Sequence, residues 1–299
     1  KKAEVSIFSI GALSKDSILY EVGYLKDEDF LALEEKEAVG DIASRFFDIN
    51  GAIALNELND RVVGFRLEEL KEKNIKFVIA TGNQYELVKN RFDLIKDDLV
   101  YIVENGNKIV YQNEVLYTSI LKQDDKENIL NLLLGFEDLM IVYCGLKHSY
   151  ISKKFRDKED FLKLFLHNYV FIDDYKAIDD QIMKFSIADF NEESDKYVDM
   201  IKDHLPDHLQ AVTTGTIWFD IFNKSVNKGT GLKFIQNYFH ISKEECMAFG
   251  DQMNDYELLL NSEESYAMSN GIEKLKAIAK HIAKSNEEDG VIQVLRELV

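Results

Sequence analysis

Apolar residues fall along this chain in short runs, separated by polar stretches whose own apolar positions recur at helical spacing. Residues 5–10 (VSIFSI), 45–48 (RFFD), 75–80 (IKFVIA) and 99–103 (LVYIV) each have the length and the β-branched or aromatic content of a buried strand. Between them, residues 27–39, 66–73 and 85–91 read as helices, the first with Phe30, Leu31, Leu33 and Ala38 on a mixed apolar face. Strand, helix, strand, helix, strand is the rhythm of a doubly wound, mostly parallel sheet, and it predicts an α/β, Rossmann-like fold.

From about residue 116 to 212 the rhythm changes. Helix-like runs at 126–134, 159–165 and 192–204 alternate with strands at 138–143 and 183–187, the pattern of an inserted α+β subdomain. The parallel pattern then resumes with residues 217–221 (IWFDI), a helix opened by Asn227-Lys228-Gly229, and a strand at 245–249 (ECMAF). The expected organisation is a core of residues 1–115 and 213–299 interrupted by an inserted domain of residues 116–212. Residues 5–10 must be buried, at a sheet edge or against a face.

Polar residues at the ends of the apolar runs carry the candidate chemistry. Asp48 ends the run Arg45-Phe46-Phe47, Thr81 ends the run at 75–80, Lys228 opens a helix, and Asp251 and Asp255 follow the run at 245–249. Ligands of open parallel sheets sit outside the carboxyl ends of the strands, so these groups are expected to converge there. Carboxylates in that place suit Mg²⁺, which prefers oxygen ligands and shares them with substrate phosphate. Lysine and threonine would hold the remaining phosphate oxygens, and a carboxylate beside the metal would attack phosphorus to form an aspartyl-phosphate.

Composition narrows the partners. A hydrophobic fraction of 46% with 30% charged residues is that of a globular chain, and a formal net charge of -18 argues against nucleic acid. No apolar run reaches the span of a bilayer and the first residues lack a signal-peptide stretch, so a cytoplasmic location without membrane attachment is expected. Cys144 and Cys246 read as reduced core thiols, and His148, His204, His208 and His240 form no ligand set. Nothing in the pattern fixes an oligomeric state.

The segments FVIATGNQY (77–85), YIVENGN (101–107), NKGTGL (227–232), AFGDQMND (248–255) and YAMSNG (266–271) together resemble the Cof-type sugar phosphatases of the haloacid dehalogenase superfamily, over about residues 66–299. The resemblance implies a haloacid dehalogenase-type core with the insertion as a cap that closes over a small phosphorylated sugar. It assigns Asp48 as nucleophile, Thr81, Gly82 and Lys228 to phosphate, and Asp48, Asp251, Asp255 and the carbonyl of Asn50 to Mg²⁺, with Asn254 supporting the acidic loop. Asn50 stands where the family carries its second acid, the general acid and base, and Ala52 where it carries threonine. Residues 1–70, notably SIFSIGALSKDSIL, AVGDIASRFFDINGA and LNDRVVGFRLEEL, instead resemble part of the sugar-phosphate effector domain of SorC-type regulators. The chain therefore reads as a junction of two families. The implied function is an Mg²⁺-dependent phosphatase weakened or silenced by Asn50, with a non-catalytic sugar-phosphate binding module, or an engineered chimera of two folds without selected activity, as the alternative.

Overall fold

The computed structural model describes residues 5–8, 11–12, 31–33, 38–42, 45–48, 74–89, 96–214 and 216–296, those from 5 to 12 and from 38 to 48 by their backbone alone. The chain divides into two compact units, residues 1–116 with 227–299, and residues 117–226.

The first unit is built on an eight-stranded sheet. From one edge its strands run His281–Ala283, Glu264–Met268, Cys246–Gly250, Val5–Phe8, Lys76–Ala80, Leu99–Val103, Lys108–Tyr111 and Glu114–Thr118. The first six are parallel, as the sequence rhythm predicts, and Lys108–Tyr111 turns back antiparallel. Gln112 and Asn113, both at positive φ, make the two-residue turn into the last strand, a turn whose twist matches that of the strands it joins. Alternate residues of each central strand face opposite ways. Phe77, Ile79, Tyr101, Val103, Met247 and Phe249 pack on one side, and Val78, Val100, Ile102 and Ala248 on the other with Leu232 and Ile235 of the helix Lys228–Phe239. Burial on both faces is why these strands read as unbroken apolar runs.

Three expectations change here. Val5–Phe8 is neither an edge nor a face element. It is a central strand, with Ile7 in parallel register beside both Val78 and Ala248. Arg45–Asp48, expected as a parallel core strand, is instead an edge of a separate three-stranded sheet, paired antiparallel with Ala38–Ile42, which pairs in turn with Gly11–Ala12. Only Ala43 and Ser44 separate Ile42 from Arg45, the length of a hairpin link, and a parallel connection needs a dozen residues or more. A strand beginning at Ala38 also ends the helix expected over 27–39, of which Leu31–Leu33 is helical. Asn50, Ala52 and the helix expected at 66–73 lie outside the described residues.

The second unit carries a six-stranded sheet in the order Tyr169–Ile172, Ser149–Ser152, Met140–Gly145, Ile182–Ala188, Trp218–Asn223, Leu209–Thr213, antiparallel except for its first pair. Ile129 and Leu133 of the helix Gln123–Leu133 and Ile201 of the helix Ser194–Ile201 cover one face, against Phe185, Ile187, Phe219 and Ile221. The run at 217–221 thus belongs to an antiparallel sheet in this unit and does not reopen the parallel core. Its strand is almost wholly buried, so its apolar pattern matches that of a parallel strand. Asp220, the acid within that run, is consumed by a buried ion pair with Lys184 at 2.8 Å. Among the described residues, no helix is long and apolar enough to cross a membrane.

Candidate active site

Two loops at the carboxyl ends of parallel strands and the start of a helix line a cavity of about 220 Å³ in the first unit. Its lining includes Thr81, Gly82 and Asn83 after one strand, Asp251, Gln252, Asn254 and Asp255 after another, and Lys228 from the start of a helix. Six of the residues expected at the site, Thr81, Gly82, Lys228, Asp251, Asn254 and Asp255, therefore line one space. Asp48 ends a strand of the three-stranded sheet, and its side chain and all of Asn50 lie outside the described residues.

Each group is held by its local chain. Thr81 donates its backbone N–H to the Ile102 carbonyl, and its Oγ1 accepts the N–H of Asn83 at 3.2 Å, which leaves the hydroxyl proton available to an incoming acceptor. Asn227 caps the helix Lys228–Phe239: its side chain accepts the Thr230 N–H at 2.8 Å while Thr230 Oγ1 accepts the Asn227 N–H at 3.0 Å. The cap fixes Lys228 at the first helical position, buried, with Nζ donating to Asp255 Oδ1 at 2.7 Å. Asp255 Oδ2 accepts the backbone N–H groups of Asp251 and Gln252 at 3.1 and 3.2 Å. Both oxygens of Asp255 are thereby engaged in folding its own loop and anchoring the lysine.

Asp251 is in a different position. It is half-buried, and burial, with the nearby charge of Asp255, raises its pKa above the usual aspartate value. Asn286, 35 residues further along, donates to its Oδ2 at 3.3 Å. Among the described residues no three His, Cys, Asp or Glu side chains gather as a metal cluster. Asp251, a carboxylate whose charged form burial disfavours and whose oxygens are less engaged than those of Asp255, nevertheless suits a hard divalent cation that completes its shell with water and phosphate oxygens. Sequence reasoning missed Asn83, Gln252 and Asn286 as lining residues. Asn286 carries no sequence signal, since only the fold brings it back to Asp251.

Residues 46–295 match the family profile described as haloacid dehalogenase-like hydrolase. The chain belongs to the haloacid dehalogenase-like hydrolases. Residues 1–85 match a second profile, that of a sugar-binding domain, so the two overlap over residues 46–85, which hold Asp48, Asn50 and Thr81. This hydrolase chain is 28% identical over 233 residues to the 5-amino-6-(5-phospho-D-ribitylamino)uracil phosphatase YbjI of Escherichia coli, an alignment covering 78% of this chain and 86% of the relative. It is also 38% identical over 84 residues to the deoxyribonucleoside regulator of Bacillus subtilis, covering 28% of this chain and 26% of the regulator. In fold it resembles the crystal structure of SMU.1108c from Streptococcus mutans, with a TM-score of 0.74 and 23% identity over 99% of this chain and 98% of the other. A haloacid dehalogenase-like α/β core therefore carries an N-terminal segment similar to a sugar-binding domain.

Proposed function

We propose that the chain binds Mg²⁺ and a small phosphorylated sugar at the Thr81–Lys228–Asp251 pocket, and that it hydrolyses the phosphate ester weakly or not at all. One observation carries this reading. The strand lying between the one that leads to Thr81 and the one that leads to Asp251 is Val5–Phe8, whose four residues include no acid. Asp48, the acid in the phosphatase-like motif, ends a strand of a different sheet. Asn50 adds to the case, because an amide cannot protonate a leaving alkoxide, and loss of a positioned general acid or base costs about 10² to 10⁴ in rate.

Binding needs less than turnover. The Thr81 hydroxyl donates to one phosphate oxygen and the Gly82 N–H lies beside it in the same loop. Lys228 has three N–H donors, of which Asp255 accepts one in the structure, and it supplies positive charge at the pocket of a chain whose net charge is -18. Asp251 supplies the carboxylate for Mg²⁺, which when bound would neutralise phosphate charge. The sugar class is supported by the sugar-binding-domain match of residues 1–85 and by the relative whose name specifies a phosphoribityl compound.

Titration of the full chain with orthophosphate, with and without Mg²⁺, tests the reading by calorimetry. Binding is expected only with Mg²⁺ present and lost in Lys228→Ala, which also destabilises the protein by about 3–5 kcal/mol by leaving Asp255 buried without its partner. Absence of phosphate binding in the parent chain would refute the proposal.

A further inference from the structure

We propose that Asn105 is a positioning residue that couples the phosphate-side loop, residues 81–83, to the acidic loop, residues 251–255; the proposal rests on the pocket reading above. Asn105 lies in the turn Glu104–Gly106, which follows the strand Leu99–Val103 and contributes nothing to the cavity lining. It is buried, and its φ of 56° places it in the left-handed region, where asparagine and glycine are tolerated and most residues are strained.

Its contacts reach both loops. The Asn105 N–H donates to the Thr81 carbonyl at 3.0 Å, and the Glu104 N–H donates to the Asn83 carbonyl at 3.1 Å. The Asn105 side chain packs so close to Gly82 that a Cβ there would lie 3.1 Å from Oδ1. That same Oδ1 accepts from Asn254 Nδ2 of the acidic loop at 3.1 Å. The next residue, Gly106, has φ of +99°, and a Cβ on it would come within 2.4 Å of the Asn227 carbonyl, so the turn also abuts the cap that places Lys228. Asn105 thus touches both loops, the first through its backbone N–H and the packing of its side chain on Gly82, the second through Oδ1. Displacement of either loop is transmitted to the other through Oδ1, so that phosphate held at Thr81 and a cation held at Asp251 reinforce each other.

Asn105→Gly removes the bridge while keeping the left-handed backbone free of strain, and Asn105→Asp keeps an acceptor oxygen for Asn254. Hydrogen exchange on the full chain without ligand is expected to show residues 81–83 and 251–255 losing protection together in Asn105→Gly, by about tenfold, as for one hydrogen bond. Asn105→Asp retains the protection, and the helix Lys228–Phe239 is unchanged in both. Unaltered exchange at residues 251–255 in Asn105→Gly would overturn the proposal. In parallel, the factor by which Mg²⁺ raises orthophosphate affinity is measured, and it falls in Asn105→Gly; an undiminished factor would overturn the coupling. A parent chain that binds neither probe refutes the proposed function, and the exchange experiment then decides the role of Asn105 alone.

Discussion

Two strands in this chain present similar apolar runs, and their placement separates them. Val5–Phe8 lies at the heart of the parallel sheet, flanked by the strands that lead to Thr81 and Asp251, and it has no acid. Arg45–Asp48 ends in an acid and stands at the edge of a three-stranded antiparallel sheet. The comparison teaches that likeness to a catalytic motif and occupancy of the catalytic strand are separate properties. A short hairpin link to Ala38–Ile42 is enough to commit Arg45–Asp48 to another sheet, whatever its motif resembles.

The largest effect expected of this difference comes from proline. Ile7→Pro removes an N–H from a strand paired on both sides and should cost about 3 kcal/mol or more, measured by chemical denaturation. Phe46→Pro, on an edge strand, should cost distinctly less. Equal costs, or the reverse order, would break the assignment of the central strand.

A smaller effect concerns pH. Because burial raises the pKa of Asp251, the folded chain holds that proton more tightly than the unfolded one, and this contribution to stability is lost as pH rises through the raised value. Above that raised value Asp251 is ionised at a cost that a cation relieves. The Mg²⁺-induced rise in Tm should be greatest above the raised pKa of Asp251 and should shrink as pH falls through it, at a pH above the ordinary aspartate value of about 3.9. An Mg²⁺ effect that is flat with pH, or that persists in Asp251→Asn, would remove Asp251 as a ligand.

Much of the parallel core and of the pocket was legible in the sequence. Thr81 and Asp251 follow apolar runs and Lys228 follows a helix-capping asparagine, so a strand or helix end was expected at each, and all three line the cavity with Asp255. Two kinds of information were not legible. Pairing is one: residues 5–8 and 217–221 are apolar runs of the same type, yet one is central in a parallel sheet and the other lies in an antiparallel one. Trp218–Asn223 is almost wholly buried, and burial on both faces erases the alternation that would mark a half-exposed antiparallel strand. Long-range polar contact is the other. Asn286 reaches Asp251, and Asn254 reaches Asn105 across 149 positions, and neither has a local pattern. The motif context around Asn105 marked a strand end without showing what its side chain joins.

Val5–Phe8, the strand between those that lead to Thr81 and Asp251, has no carboxylate among its four residues, so the pocket is expected to lack a working aspartyl nucleophile. Phosphate release from sugar phosphates in the presence of Mg²⁺, compared between the parent chain, Asp48→Asn and Asn50→Asp, tests it most directly. The expected result is a low rate that differs little among the three proteins. A parent rate that falls by about 10³ or more in Asp48→Asn, or rises by a like factor in Asn50→Asp, would contradict it.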